Sequence, residues 1–116
     1  MRQITIWIAA ENWEAGHWTP DDDATDVIVT LEDGSRWVAT FCSFRHMETI
    51  RQKYSSTGEC LHGKYFWLSD LILIDDTSRR SIEVVVENLL ASGEFAEAFE
   101  RAPANDETPT ITKNRT

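Results

Sequence analysis

The sequence predicts an α+β domain, a mostly antiparallel sheet packed against two or three helices on one face, and three patterns carry that expectation. Ile4, Ile6 and Ile8 alternate with Thr5 and Trp7 in QITIWIA, the period of two that buries one face of a strand. Two β-branched and aromatic runs, Asp26 to Glu32 and Arg36 to Cys42, flank Asp33-Gly34, a pair that readily supplies the positive φ angles of a tight hairpin turn. Apolar residues then recur at helical spacing twice, as Phe44, Met47, Ile50 or Arg51, and Tyr54, and as Ile82, Val85, Val86, Leu89 and Leu90. Strands that precede most of the helices, with no strict βαβ alternation, point to α+β.

Taken in order, residues 3 to 9 form the first strand. The stretch from Ala10 to Ala24 mixes Gly16, Pro20 and a triple Asp with Trp13 and Trp18, which predicts a long loop. After the hairpin, the Ser43 hydroxyl is placed to cap an amphipathic helix that ends where Ser55 to Gly58 break its pattern. KYFWLSDLILID holds two apolar runs, Tyr65 to Leu68 and Leu71 to Ile74, which fit one bulged strand or two short ones. Asp76, Thr77 and Ser78 offer caps for a second helix ending at Gly93, and a shorter helical turn brings Phe95 and Phe99 inward. Trp7, Trp37 and Trp67 lie in strand-like runs and are expected in the core.

With 116 residues and 41% hydrophobic content, the chain suits one domain over residues 1–102 that needs neither metal nor disulfide support. The tail 103–116 carries two prolines and one large aliphatic side chain, a composition expected to stay disordered. No apolar run approaches a membrane span and the N-terminus is too polar for a secretory signal, so the expected compartment is the cytoplasm, with Cys42 and Cys60 reduced.

Charge is distributed unevenly. The formal net charge is -9, yet residues 36 to 58 hold four cations against Glu48 alone. From Gln3 to Ser35 there are eight carboxylates, three tryptophans and no Lys or Arg. Such a segment steers a basic partner by long-range attraction and repels nucleic acid and anionic membrane. Acidity also serves solubility in ordinary cytosolic proteins, so an adaptor or housekeeping domain is the competing reading.

Catalytic and metal signatures are thin. Cys42 and His46, with Cys60-x-His62, lack the repeated spacing of a structural zinc site, and Asp21-Asp22-Asp23 lacks the alternation of a calcium loop. A nucleophilic Cys60 with His62 as its base is the enzyme alternative, but no Gly-rich oxyanion loop precedes it. The expectation is a non-enzyme without cofactor or metal.

The run WVATFCSFRHMETIRQKYSSTGECLHGKYFWLSDLILIDDTSRRSIEVVVENLLASGEF, from Trp37 to Phe95 and about half the chain, resembles small bacterial proteins encoded near secreted toxins. In that setting it resembles an immunity protein of a contact-dependent inhibition or polymorphic toxin system. The resemblance implies a cytoplasmic inhibitor of a cognate toxin, many of which are basic nucleases, and it supplies no site residues. Those come from the residue argument alone: Glu11, Trp13, Glu14, Trp18, Asp21, Asp22, Asp23 and Asp26 form the expected partner-binding set. Trp13 and Trp18 either fold back to roof the core or anchor the partner. Nothing in the sequence sets the oligomeric state.

Overall fold

The computed structural model describes residues 3–103; Met1, Arg2 and residues 104–116, most of the expected tail, lie outside them. The sheet contains β1 (Thr5–Ile8), β2 (Ala24–Thr30), β3 (Arg36–Ser43), β4 (Leu71–Ile74) and β5 (Glu100–Arg101). β1, β2 and β3 are consecutive antiparallel neighbours, with Ile8 opposite Val27 and Val27 opposite Ala39. The far edge of β3 is shared end to end. β5 runs antiparallel beside Trp37 and Val38, and β4 runs parallel beside residues 40 to 43.

A parallel pair demands a crossover. Here it consists of α1 (Phe44–Thr57), α2 (Glu59–Gly63) and the irregular return through residues 64 to 70. The Ser43 side chain accepts a hydrogen bond from His46 N and so caps α1, whose last turn ends in left-handed Gly58. The α1 helix buries no residue and packs on α2, the Pro20–Asp22 turn and the end of β3, so the crossover stands off the sheet as an arm.

The main core cluster lies on one face of the sheet. α3 (Arg79–Ser92), capped by the Ser78 side chain and closed by left-handed Gly93, drives Ile82 and Val86 against Ile8, Val27, Val29, Ala39, Phe41 and Ile74. α4 (Phe95–Ala98) completes this layer, and Phe95 stacks on Phe99 at 4.4 Å while meeting Trp37 edge-on at 5.5 Å. The period-two alternation read from β1, β2 and β3 therefore buries one face under α3 and α4.

Two expectations for the tryptophans are overturned. Tyr65–Leu68 forms no strand, because pairing with β3 begins only where Leu71 meets Thr40, after Asp70 turns the chain at φ +56°. Trp67 consequently stands 73% exposed instead of entering the core. Trp7 is also exposed, since it lies opposite Ile28, a position outside the buried cluster under α3 and α4. Only Trp37 of the three packs against the core.

Arg79, at the start of α3, ties three elements together. Its guanidinium donates to both Glu11 oxygens at 2.7 and 2.9 Å, to Glu83 at 3.1 Å, and to the backbone carbonyl of Ile6 at 2.8 Å. The last bond occupies an acceptor of β1, whose only strand partner among the described residues is β2, and so blunts the sheet edge. Arg79→Met should keep the aliphatic packing and lose this fork, lowering stability by about 1–2 kcal/mol in urea unfolding. A change below about 0.3 kcal/mol would mean that solvent replaces the fork without cost. Among the described residues, no helix is long and apolar enough to cross a membrane.

Candidate protein-interaction surfaces

The acidic segment folds as two short 3-10 turns, Ala9–Asn12 and Pro20–Asp22, joined by an exposed loop. Its first half presents Glu11, Trp13 and Glu14. Glu11 is fixed by Arg79, whose hydrogen bonds hold its carboxyl below the usual carboxylate range against the opposing effect of desolvation. Trp13 is 38% exposed beside Glu14, which lies on the surface.

Trp18 has the other fate. Its indole N–H donates to Thr77 Oγ1 at 3.1 Å and its ring packs against the core, while Thr77 is fully buried and donates in turn to the Pro20 carbonyl at 3.2 Å. The aromatic ring thus roofs one end of the sheet.

The three consecutive aspartates seat the arm on the body. Asp21 pairs with Arg45 at 3.1 Å, and Asp22 receives His46 at 2.8 Å and the Thr49 hydroxyl at 3.1 Å. The His46 hydrogen bond is the largest cause that depresses the Asp22 carboxyl from its ordinary value. Asp23 accepts the backbone N–H groups of Thr19 and Ala24, and Ser43 joins this hub by donating its N–H to the Asp23 carbonyl and its hydroxyl to the Asp21 carbonyl. Asp26 accepts the Thr40 hydroxyl at 2.9 Å across the β2–β3 pair. Of the eight expected contact residues, then, the structure leaves Trp13 and Glu14 outward and gives Glu11, Trp18, Asp21, Asp22, Asp23 and Asp26 internal partners. The Arg79 and Arg45 guanidiniums are among those partners, while the segment itself holds eight carboxylates and no Lys or Arg.

A second surface lies on the arm. Phe44, Leu61, Tyr65 and Trp67 are each more than half exposed, and between α1 and the irregular return runs a groove of about 400 Å³ whose lining includes Met47, Ile50, Tyr54 and Phe66. The helical spacing of Phe44, Met47, Ile50 and Tyr54 marks α1 as amphipathic, and the unalternating run Tyr65-Phe66-Trp67 is the sequence sign of the aromatic surface beside it.

The cysteine chemistry resolves along similar lines. Burial, with Asp22 and Asp23 adding to it, pushes the Cys42 thiol up to about 11, so at neutral pH it is a protonated, unreactive side chain. Cys60 and His62, the nucleophile and base of the enzyme alternative, lie with Leu61 in three consecutive left-handed positions of α2, at φ +52°, +60° and +54° respectively. Among the described residues, no three His, Cys, Asp or Glu side chains converge as a metal-holding group. Comparison with protein-family models, curated proteins and solved structures finds no match to this chain.

Proposed function

We propose that this chain is a small acidic binding protein that neutralises a cognate basic protein toxin, a nuclease being the fitting class, by covering its active or substrate-binding site. The observation that carries the reading is the exposed indole of Trp13, set beside Glu14 in a segment of eight carboxylates and no Lys or Arg. Carboxylates accelerate encounter with a cationic surface, and a flat aromatic side chain that loses its water on docking slows release. The toxin context comes from the resemblance of residues 37–95 to immunity proteins, and the charge distribution supports a basic partner over nucleic acid or anionic membrane.

The test uses the product of the adjacent gene, purified in a catalytically inactive form. Trp13→Ala should leave unfolding stability unchanged and weaken binding by about 2 kcal/mol or more, through faster dissociation. Glu14→Gln with Asp21→Asn should slow association and flatten its dependence on ionic strength. Wild-type rates for both variants across salt concentrations would remove the N-terminal segment from the interface. Absence of any complex would remove the toxin reading.

A further inference from the structure

We propose that residues 110–115 fold back as a strap onto the cleft at the hairpin end of the sheet, seating Ile111 among Ile4, Leu31 and Leu90 and Lys113 beside Glu32 and Asp33. The inference concerns neither Trp13 nor the arm and stands independently of the toxin reading. Its first support is the cleft. About 310 Å³ in volume, it lies between the chain entering β1, the β2–β3 turn and the last turn of α3, and is lined by Ile4, Leu31, Leu90 and the two carboxylates. Ile4, Leu31 and Leu90 all pack on the buried cluster but are themselves only partly covered, so the cleft is an open end of the core. An aliphatic side chain placed there extends a core that already exists.

The second support is where the chain leaves the sheet. The Ala102 N–H donates to the Arg36 carbonyl at 2.7 Å; Arg36 lies opposite Thr30, and Thr30 opposite Thr5. The exit is therefore level with the cleft and roughly 15 Å from its far wall, at three strand spacings of ~4.8 Å. The nine residues from Ala102 to Ile111 reach about 30 Å when extended, ample for that path. The Asp33 carboxyl is held below its ordinary value first by hydrogen bonds from Ser35 and further by the charge of Arg101, which sets the outgoing chain beside the rim.

The third support is complementarity. Gln3 N–H donates to Glu32, and Ser35 donates its N–H and hydroxyl to Asp33, so these donors position the carboxylates without neutralising them. Beyond Arg101 the chain's only cations are Lys113 and Arg115, and its only large aliphatic side chain is Ile111. Alternate residues of an extended segment share a face, which puts Ile111, Lys113 and Arg115 on one side and Thr110, Thr112 and Asn114 on the other. One side thus matches the cleft, apolar to apolar and cation to carboxylate. A free peptide of the same chemistry competes poorly, because the tether supplies a local concentration on the order of millimolar. The composition that keeps residues 103–116 from building a core of their own does not prevent a short piece from closing an existing one. In that position the strap also screens Glu32 and Asp33, two of the segment's eight carboxylates, from any basic partner.

Nuclear magnetic resonance on the full chain, at about 50 and 500 μM, is the test. The wild type is expected to show Overhauser contacts from the Ile111 methyls to Leu31 and Leu90, equal at both concentrations, and backbone order parameters above about 0.6 at Thr112 and Lys113. Ile111→Asp should drop those order parameters below about 0.6 and move the Leu31 and Leu90 methyl shifts, with the amide shifts of Val27, Val29 and Phe41 unchanged to show that the fold is kept. Lys113→Glu should lower the order parameters too, because the reversed charge faces two carboxylates. Wild-type order parameters below about 0.6 throughout residues 104–116 overturn the proposal. So do Ile111 contacts to any other part of the chain, and contacts that grow with concentration, which assign the cleft to a second copy. Full order retained in Lys113→Glu overturns the pairing with Glu32 and Asp33.

Discussion

Trp18→Ala is expected to lower the unfolding free energy by about 3 kcal/mol, at the low end for truncation of a core Trp because the ring is half-buried. Two losses add. The cavity left beneath the Pro20–Asp22 turn removes the ring's contacts with the core, and the buried Thr77 hydroxyl loses the indole donor while keeping its bond to the Pro20 carbonyl. Urea unfolding followed by circular dichroism reads the change as a lower midpoint at constant slope. Partner binding, measured where the variant is folded, should match wild type, in contrast with Trp13→Ala. A loss below about 1 kcal/mol would show that the ring is not part of the roof.

These two tryptophans also show where the sequence stops being informative. Both sit in the same polar, acidic loop, and what separates them is a hydrogen bond to a residue 59 positions away. No local pattern encodes that contact. The hairpin was legible because Asp33-Gly34 dictates its own turn, with Gly34 at φ +87°, and the two long helices because Ser43 and Ser78 cap them and Gly58 and Gly93 end them. Phe95 and Phe99 were legible as core because their spacing on a short turn leaves them one apolar face.

The arm was half legible. A helical period reveals that α1 has an apolar face, but the period is the same whether a sheet, a second chain or a shallow groove lies against it. What decides is topology: β4 runs parallel to β3, so α1 belongs to a crossover, and strand direction leaves no mark on the run LILI. The acidic segment was misleading for a related reason. Carboxylates read as free surface charge from sequence, yet Asp21, Asp22 and Asp23 are the seat on which α1 is fixed, through side chains and backbone more than twenty residues downstream.

The turn that closes the arm should be its most sensitive point, and Gly63→Ala the variant that exposes this. Gly63 has φ +81°, and a Cβ built there would lie 2.5 Å from the Arg51 carbonyl oxygen and 3.2 Å from Ser55 N. Both are backbone atoms of α1, so no side-chain rotation relieves the overlap. The left-handed conformation itself costs a residue with a Cβ about 1–2 kcal/mol, and Cys60, Leu61 and His62 already carry that cost in the same turn. Overlap with the helix adds about 1–3 kcal/mol, so the variant should lose about 3 kcal/mol locally. Because α1 buries no residue in the core, the arm should open while the sheet remains folded. Hydrogen exchange of the Tyr54 to Lys64 amides should quicken roughly a hundredfold, with protection of Val27, Val29 and Phe41 unchanged. Gly34→Ala is the control: its φ is also positive but its Cβ would meet open space, so it should cost only about 1 kcal/mol. Wild-type exchange at the arm in Gly63→Ala would show that the turn does not depend on this close approach.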